Sequence, residues 1–237
     1  MINKETTEEP LFTNKETLLP NIKCEDNDPH YLYDGTLFVY TEPDFYEGPV
    51  DAYLEPMDLI CVGELDKGRE KLEYLARSIP WGADTLAFGF QNGWFGEVRY
   101  DLALYIYRLI IKRKGYNKSM TKLAYCYQMG IGVRKNMRIA IDWYKKAAKA
   151  GDPYALTTLA GIYIFGPKRY RDVEAGIKLC KKASKNCAEA YNVLGICHAN
   201  GFGVPKNLAK AKRLFKKAIM IVNYDIYWHN LDCCEDR

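Results

Sequence analysis

Apolar residues in the second half of the chain recur with helical spacing, and the spacing itself recurs. Ile139, Ala140, Trp143, Tyr144 and Ala147 fall at i, i+1, i+4, i+5 and i+8, one stripe of an amphipathic helix. The segments Leu123–Gly130, Leu159–Gly166 and Leu194–Gly201 align with one another at a period of 35–36 residues. Each is followed at the same offset by Lys-Lys-Ala, beginning at Lys145, Lys181 and Lys216. Asn136, Asp172 and Asn207 precede the second stripe of each period, where a short side-chain acceptor caps the free N–H groups of a helix. Gly130 and Gly201 end the first stripes as left-handed helix stops. Gly151-Asp152-Pro153 reads as a stop, an N-cap and a first-position proline. The pattern predicts three helix-turn-helix units. Such units bury their apolar faces only against one another and form a continuous core when stacked.

A weaker copy, Leu86–Gly93, aligns 37 residues before Leu123–Gly130, and residues 68–77 carry the stripe of a further second helix. The second of the clear units departs from the others: Gly166-Pro-Lys-Arg-Tyr-Arg171 replaces Gly-x-Gly-Val, which predicts a reshaped turn. Residues 220–237, with Ile221, Tyr224, Ile226, Tyr227, Trp228 and Leu231, are expected to form a closing helix.

The string Leu-(Gly/Ala)-x-x-Tyr-x-x-Gly-x-Gly-Val, followed by Ala-x-x-(Trp/Leu)-(Tyr/Phe)-Lys-Lys-Ala, resembles the Sel-one-like repeat, a longer relative of the tetratricopeptide repeat. The first unit carries it on Leu123, Ala124, Tyr127, Gly130, Gly132, Val133, Ala140, Trp143, Tyr144 and Ala147. The resemblance covers roughly residues 64–222. It implies an all-α, right-handed α-solenoid of antiparallel helix pairs, with three clear repeats and one to one and a half degenerate ones. It also implies a non-catalytic protein-interaction module, a scaffold or adaptor. Small bacterial members resemble immunity proteins that neutralise a toxin or effector.

Charge divides the chain. Residues 1–57 hold 3 basic and 13 acidic residues, 3 − 13 = −10, and the remainder holds 31 − 17 = +14. An acidic N-terminal arm, residues 1–57, is therefore expected to precede a basic repeat domain, residues 58–237. The arm is either solvated or docked. Within it, Asp34-Gly35 between β-favouring residues predicts a hairpin over 31–40. No apolar run is long enough to span a bilayer, and the N-terminus is not a secretory signal, so the expected location is cytoplasmic. Without a signal, the eight cysteines are expected to be mostly buried thiols rather than disulfides.

Chemistry is sparse. His30, His198 and His229 lie far apart, with His198 expected as a packed core residue, and no CxxC, HExxH or GxSxG pattern occurs. Gly130-Ile-Gly132 and Gly201-Phe-Gly203 lie between two helices without a preceding strand, which argues against a nucleotide loop. No catalytic residue, metal site or cofactor is expected. The resemblance places the non-motif positions of the first helices on a concave face. They are Trp81, Asp84, Phe88 and Gln91, then Thr121, Tyr125 and Gln128, then Tyr154 and Thr157, then Asn192. Aromatics among amides and hydroxyls suit recognition of a partner protein. The competing reading fills that groove from within. The lysines of the second helices form a solvated outer face, or, in an alternative function, a phosphate-binding stripe for nucleic acid with the acidic arm as autoinhibitor.

Overall fold

The computed structural model describes residues 50–77, 79–183, 187–222, 227–228 and 230–231. The hairpin expected over 31–40 and nearly all of the acidic arm lie outside them. Among the described residues every regular element is helical: ten α-helices and one short 3-10 turn. They are α1 (Val50–Cys61), α2 (Leu65–Ala76), α3 (Pro80–Asn92), α4 (Tyr100–Lys114), α5 (Asn117–Met129), α6 (Met137–Lys149), α7 (Pro153–Phe165), α8 (Val173–Ala183), α9 (Ala188–Asn200) and α10 (Leu208–Ile221). The class is the α-solenoid of helix pairs. The chain divides into two compact units, residues 1–119 and 120–237.

In the second unit the expected caps are in place. Asn136 accepts from the Arg138 and Ile139 amides, Asp172 from the Ala175 amide and Asn207 from the Lys210 amide, at 2.9–3.2 Å. Gly130 and Gly201 sit at φ +86° and +78°, where a side chain would be strained. A backbone tie closes each turn: the amides of Asn136, Asp172 and Asn207 donate to the carbonyls of Tyr127, Tyr163 and His198 at 2.7–2.9 Å. The second turn keeps this tie but is rebuilt, as its sequence suggests. Gly166 is extended (φ −69°, ψ 179°), and residues 168–170 form the 3-10 turn.

The first unit repeats the design with altered residues. The Arg99 amide donates to the Phe90 carbonyl at 2.8 Å, the same tie 37 residues earlier than Asn136 to Tyr127. Arg99 stands where the other pairs carry an Asn or Asp cap, and it instead grips Asp101 at 2.8 and 3.0 Å. The pair α3–α4 is thus a full copy with a degenerate cap. The pair α1–α2 is a copy with a shorter link, Val62-Gly63-Glu64. One residue shows the correspondence: Gly68, Ala103, Ala140, Gly176 and Ala211 all stand one turn inside the second helix, and all are buried. A methyl on Gly68 would lie 2.6 Å from Ile60 Cγ1 and 3.1 Å from the Pro56 carbonyl. One on Gly176 would lie 2.6 Å from Ile164 Cγ1 and 3.0 Å from the Ala160 carbonyl. Only the smallest side chains fit where the two backbones come this close.

The first helix, α1, begins at Val50, inside the stretch read as the acidic arm, and carries Pro56. Pro56 has no N–H to donate, so α1 lacks an intrahelical bond at that position, and the proline is fully buried with its carbonyl close to Gly68 of α2. At the other end, α10 continues through Ile221, and extended Val222 (φ −140°, ψ 125°) stops it. Helical residues resume at 227, and Tyr227 and Leu231 bury against α9 and α10.

Candidate functional site

The first helices carry a row of equivalent positions, Asp84, Thr121, Thr157 and Asn192, at intervals of 37, 36 and 35 residues. All four were expected to face a partner. The structure turns each into a clasp, reaching either a residue at or near the start of the next first helix or, for the last, the C-terminal helical residues. In the first unit Ser119 Oγ donates to Asp84 Oδ1 at 2.6 Å, with both side chains buried. In the second unit Thr121 Oγ1 donates to Asp152 Oδ2. The other oxygen of Asp152 caps α7 by accepting from the Tyr154 amide at 3.1 Å. Thr157 Oγ1 donates to the Pro153 carbonyl at 2.9 Å and lies 3.4 Å from Cys187 Sγ, at the cap position of α9. Asn230 Nδ2 donates to Asn192 Oδ1 at 2.8 Å. Asp84, Thr121, Thr157 and Asp152 are each less than 7% exposed. A buried polar group costs free energy unless it is bonded, so these contacts hold neighbouring helices together within each unit.

A second recurring contact joins the helices within a pair. Tyr144 Oη donates to Gln128 Oε1 at 2.9 Å, and Tyr107 Oη donates to Gln91 Oε1 at 3.3 Å. Both tyrosines are fully buried. Burial also holds the Tyr144 phenol well above its usual range, so its hydroxyl stays a donor. Gln91 and Gln128 therefore spend their carbonyls inside the fold. The same position is Cys180 in the next pair and Phe215 in the last, where Gly195 gives the ring room: a Cβ there would stand 2.5 Å from it.

Of the ten expected face residues, Trp81, Phe88, Gln91, Tyr125, Gln128, Tyr154 and Asn192 remain half-exposed. Phe88 meets Trp94 edge to face, with centroids 5.3 Å apart, and Phe90 meets Phe95 at 5.0 Å. The turn after α3 folds these two rings back onto Gly89, whose Cβ would collide with Phe95 at 2.6 Å. In the first unit that face is partly filled from within. In the second unit Tyr125 and Tyr154 stand within a turn of the two ends of the Thr121–Asp152 clasp.

The clasp partners Ser119, Asp152, Cys187 and Asn230 were not foreseen as partners, nor were Trp94 and Phe95 as packing residues. The glycine at 89 was the available signal for the rings. The four buried thiols behave as core. Burial pushes Cys180 up to about 12 and Cys187 and Cys197 up to about 11, so these three thiols stay protonated at neutral pH. His198 is buried, with Nδ1 3.3 Å from the Pro205 carbonyl. No group of three metal-ligating side chains and no helix long and apolar enough to cross a membrane occurs among the described residues. On the second helices Lys145, Lys146, Lys149, Lys178, Lys182 and Lys217 are exposed. Two of them stack on aromatic rings, Lys146 on Trp143 and Lys217 on Tyr191.

Stacked helix pairs joined by recurring clasps define a helical repeat protein. Residues 117–152, 153–186 and 188–220 match the Sel1 repeat, so this stretch is three consecutive Sel1 repeats, as the motif suggested. Repeats of this kind are protein-interaction modules. Among solved structures, a Sel1 repeat protein from Oxalobacter formigenes superposes with a TM-score of 0.62 at 21% identity, over 71% of this chain and 69% of its own. An immunity protein from Pseudomonas aeruginosa gives 0.55 at 20% identity, over 74% of this chain and 67% of its own. A further Pseudomonas aeruginosa protein gives 0.52 at 22% identity, over 73% and 66%. At these identities the likeness is one of fold.

Proposed function

We propose that this chain is a non-catalytic binding protein of the cytoplasm that takes one partner protein on its first-helix face. Its role would be that of an immunity protein that neutralises a toxin or effector. The observation that carries the reading is the clasp beside Tyr125 and Tyr154. It fixes two half-exposed tyrosines of successive first helices on a frame that is already ordered before a partner arrives. Rigid aromatic anchors lose little entropy on binding and supply large contact area. The shared fold of the Pseudomonas aeruginosa immunity protein supports the finer role. The accessible edges of Gln128 and Asn192, in the same unit, complete the proposed contact set; Trp81, Phe88 and Gln91 form a separate candidate set on the first unit's own first helix. Asp84, Thr121 and Thr157 are withdrawn, because they are buried in the clasps.

The test is capture from host lysate at high salt with the full chain and with Tyr125→Ala/Tyr154→Ala, analysing both protein and nucleic acid. The reading expects one stoichiometric protein, lost from the double variant, whose toxicity on expression is relieved by the wild-type chain alone. Nucleic acid recovered at low salt and released by salt would replace it with the polyanion reading of the outer lysines.

A further inference from the structure

The three inter-helix turns of the second unit form a surface separate from the first-helix face. Met129 and Phe165 end α5 and α7 at equivalent positions, and Phe202 follows α9 at the position of Ile131. Met129, Phe165 and Phe202 are 44%, 43% and 45% exposed, high values for large apolar side chains. Phe165 and Phe202 meet edge to face at 5.8 Å, so the second and third turns are neighbours. Gly203 carries the third turn against α8: a Cβ there would be 2.4 Å from Val173 Cγ1.

These turns are held in place. The Phe202 amide donates to the Cys197 carbonyl at 3.0 Å, as the Ile131 amide does to Cys126 at 2.9 Å. Arg171 donates to the Gly166 carbonyl at 3.1 and 3.3 Å, and Tyr170 packs on the α6–α7 core beneath the Arg169 guanidinium. Residues 130–136, 166–172 and 201–207 together hold six basic residues and one acidic residue, 6 − 1 = +5. Arg134, Lys135, Lys168, Arg169 and Lys206 are exposed. The one carboxylate, Asp172, is occupied as the cap of α8.

We infer that this turn edge binds an acidic polypeptide segment carrying an aromatic side chain. The segment runs across the second and third turns, with the aromatic on the Phe165–Phe202 pair and carboxylates on Lys168, Arg169 and Lys206. The charge sign excludes basic segments. The apolar centre is two rings wide and fits one or two side chains. Flexible exposed aromatics gain little alone, but a fixed pair with flanking cations supplies the buried anchor and charged rim of a small interface.

The probe is a fluorescein-labelled peptide of repeated Glu-Asp-Phe-Gly units, titrated by anisotropy against the full chain. Its controls replace Phe by Ala, or Glu and Asp by Gln and Asn. Only the parent peptide is expected to bind. Phe165→Ala/Phe202→Ala and Lys168→Glu/Arg169→Glu should each weaken it about tenfold. Tyr125→Ala and Lys181→Glu/Lys182→Glu should not, which separates this edge from the first-helix face and from the outer lysines. Four results would each overturn the inference: no binding of the parent peptide, equal binding of the alanine peptide, loss only with the outer-lysine variant, or binding to phosphatidylserine vesicles in place of the peptide.

Discussion

Removing Asp152 tests the clasp row at its most demanding point. The side chain is 3% exposed and makes two kinds of bond, one to the Tyr154 amide as a helix cap and one to the Thr121 hydroxyl. Loss of a cap costs about 1 kcal/mol. A buried hydroxyl left without its acceptor costs about 1–3 kcal/mol more. Asp152→Ala is therefore expected to destabilise the second unit by about 2–4 kcal/mol, and to lower Tm by roughly 5–15 °C. Thr121→Val removes the donor while keeping shape and should cost about 1–2 kcal/mol, because Asp152 retains its cap bond. The two should not add: in urea titrations a double-mutant cycle is expected to show about 1–2 kcal/mol of coupling. Additive effects, each below about 0.5 kcal/mol, would mean that the buried row contributes nothing to the stack, and Thr121 would return to the list of partner contacts.

Four further expectations follow from the packing. Gly195→Ala places a methyl 2.5 Å from the Phe215 ring and should cost about 1–3 kcal/mol, measured by urea unfolding, with partial recovery in Gly195→Ala/Phe215→Leu. Tyr107→Phe and Tyr144→Phe should each lose about 0.5–1.5 kcal/mol, and the loss should fall when the paired Gln91 or Gln128 is already Leu. Cys61 should be alkylated by iodoacetamide at neutral pH, while Cys126, Cys180 and Cys197 react only on unfolding, read by peptide mass mapping. The folded-state thiol values are raised, so their contribution to stability is complete below the unfolded value near 9. It declines as pH rises through about 11–12, and unfolding free energy should fall across that window and not at neutral pH.

The second unit was legible because its signals are local. A cap, a glycine stop and a helical stripe each depend on a few neighbouring residues, and all three recur at Asn136, Gly130 and Tyr144. The pair α3–α4 was faint because Arg99 replaces the capping side chain and Phe90 the motif tyrosine, although the backbone tie between them is unchanged. The helix α1 was hidden by Pro56, which reads as a breaker until its short helix is seen against α2. The clasps were not legible at all. Their partners lie 30 to 38 residues apart and use four different chemistries: Asp with Ser, Thr with Asp, Thr with Cys, and Asn with Asn. Repeat spacing identifies these positions as lying off the motif stripe, but it does not say whether the next helix covers them.

The most direct test of the central claim is site-specific photocrosslinking in the native host. A benzophenone amino acid is placed at Tyr125 or Tyr154, and at Lys145 on a second helix as the comparison. The account predicts one covalent adduct with a single protein from Tyr125 and Tyr154, and none from Lys145. Adducts arising from Lys145 while Tyr125 and Tyr154 give none would contradict it, and would move the binding surface to the outer helices.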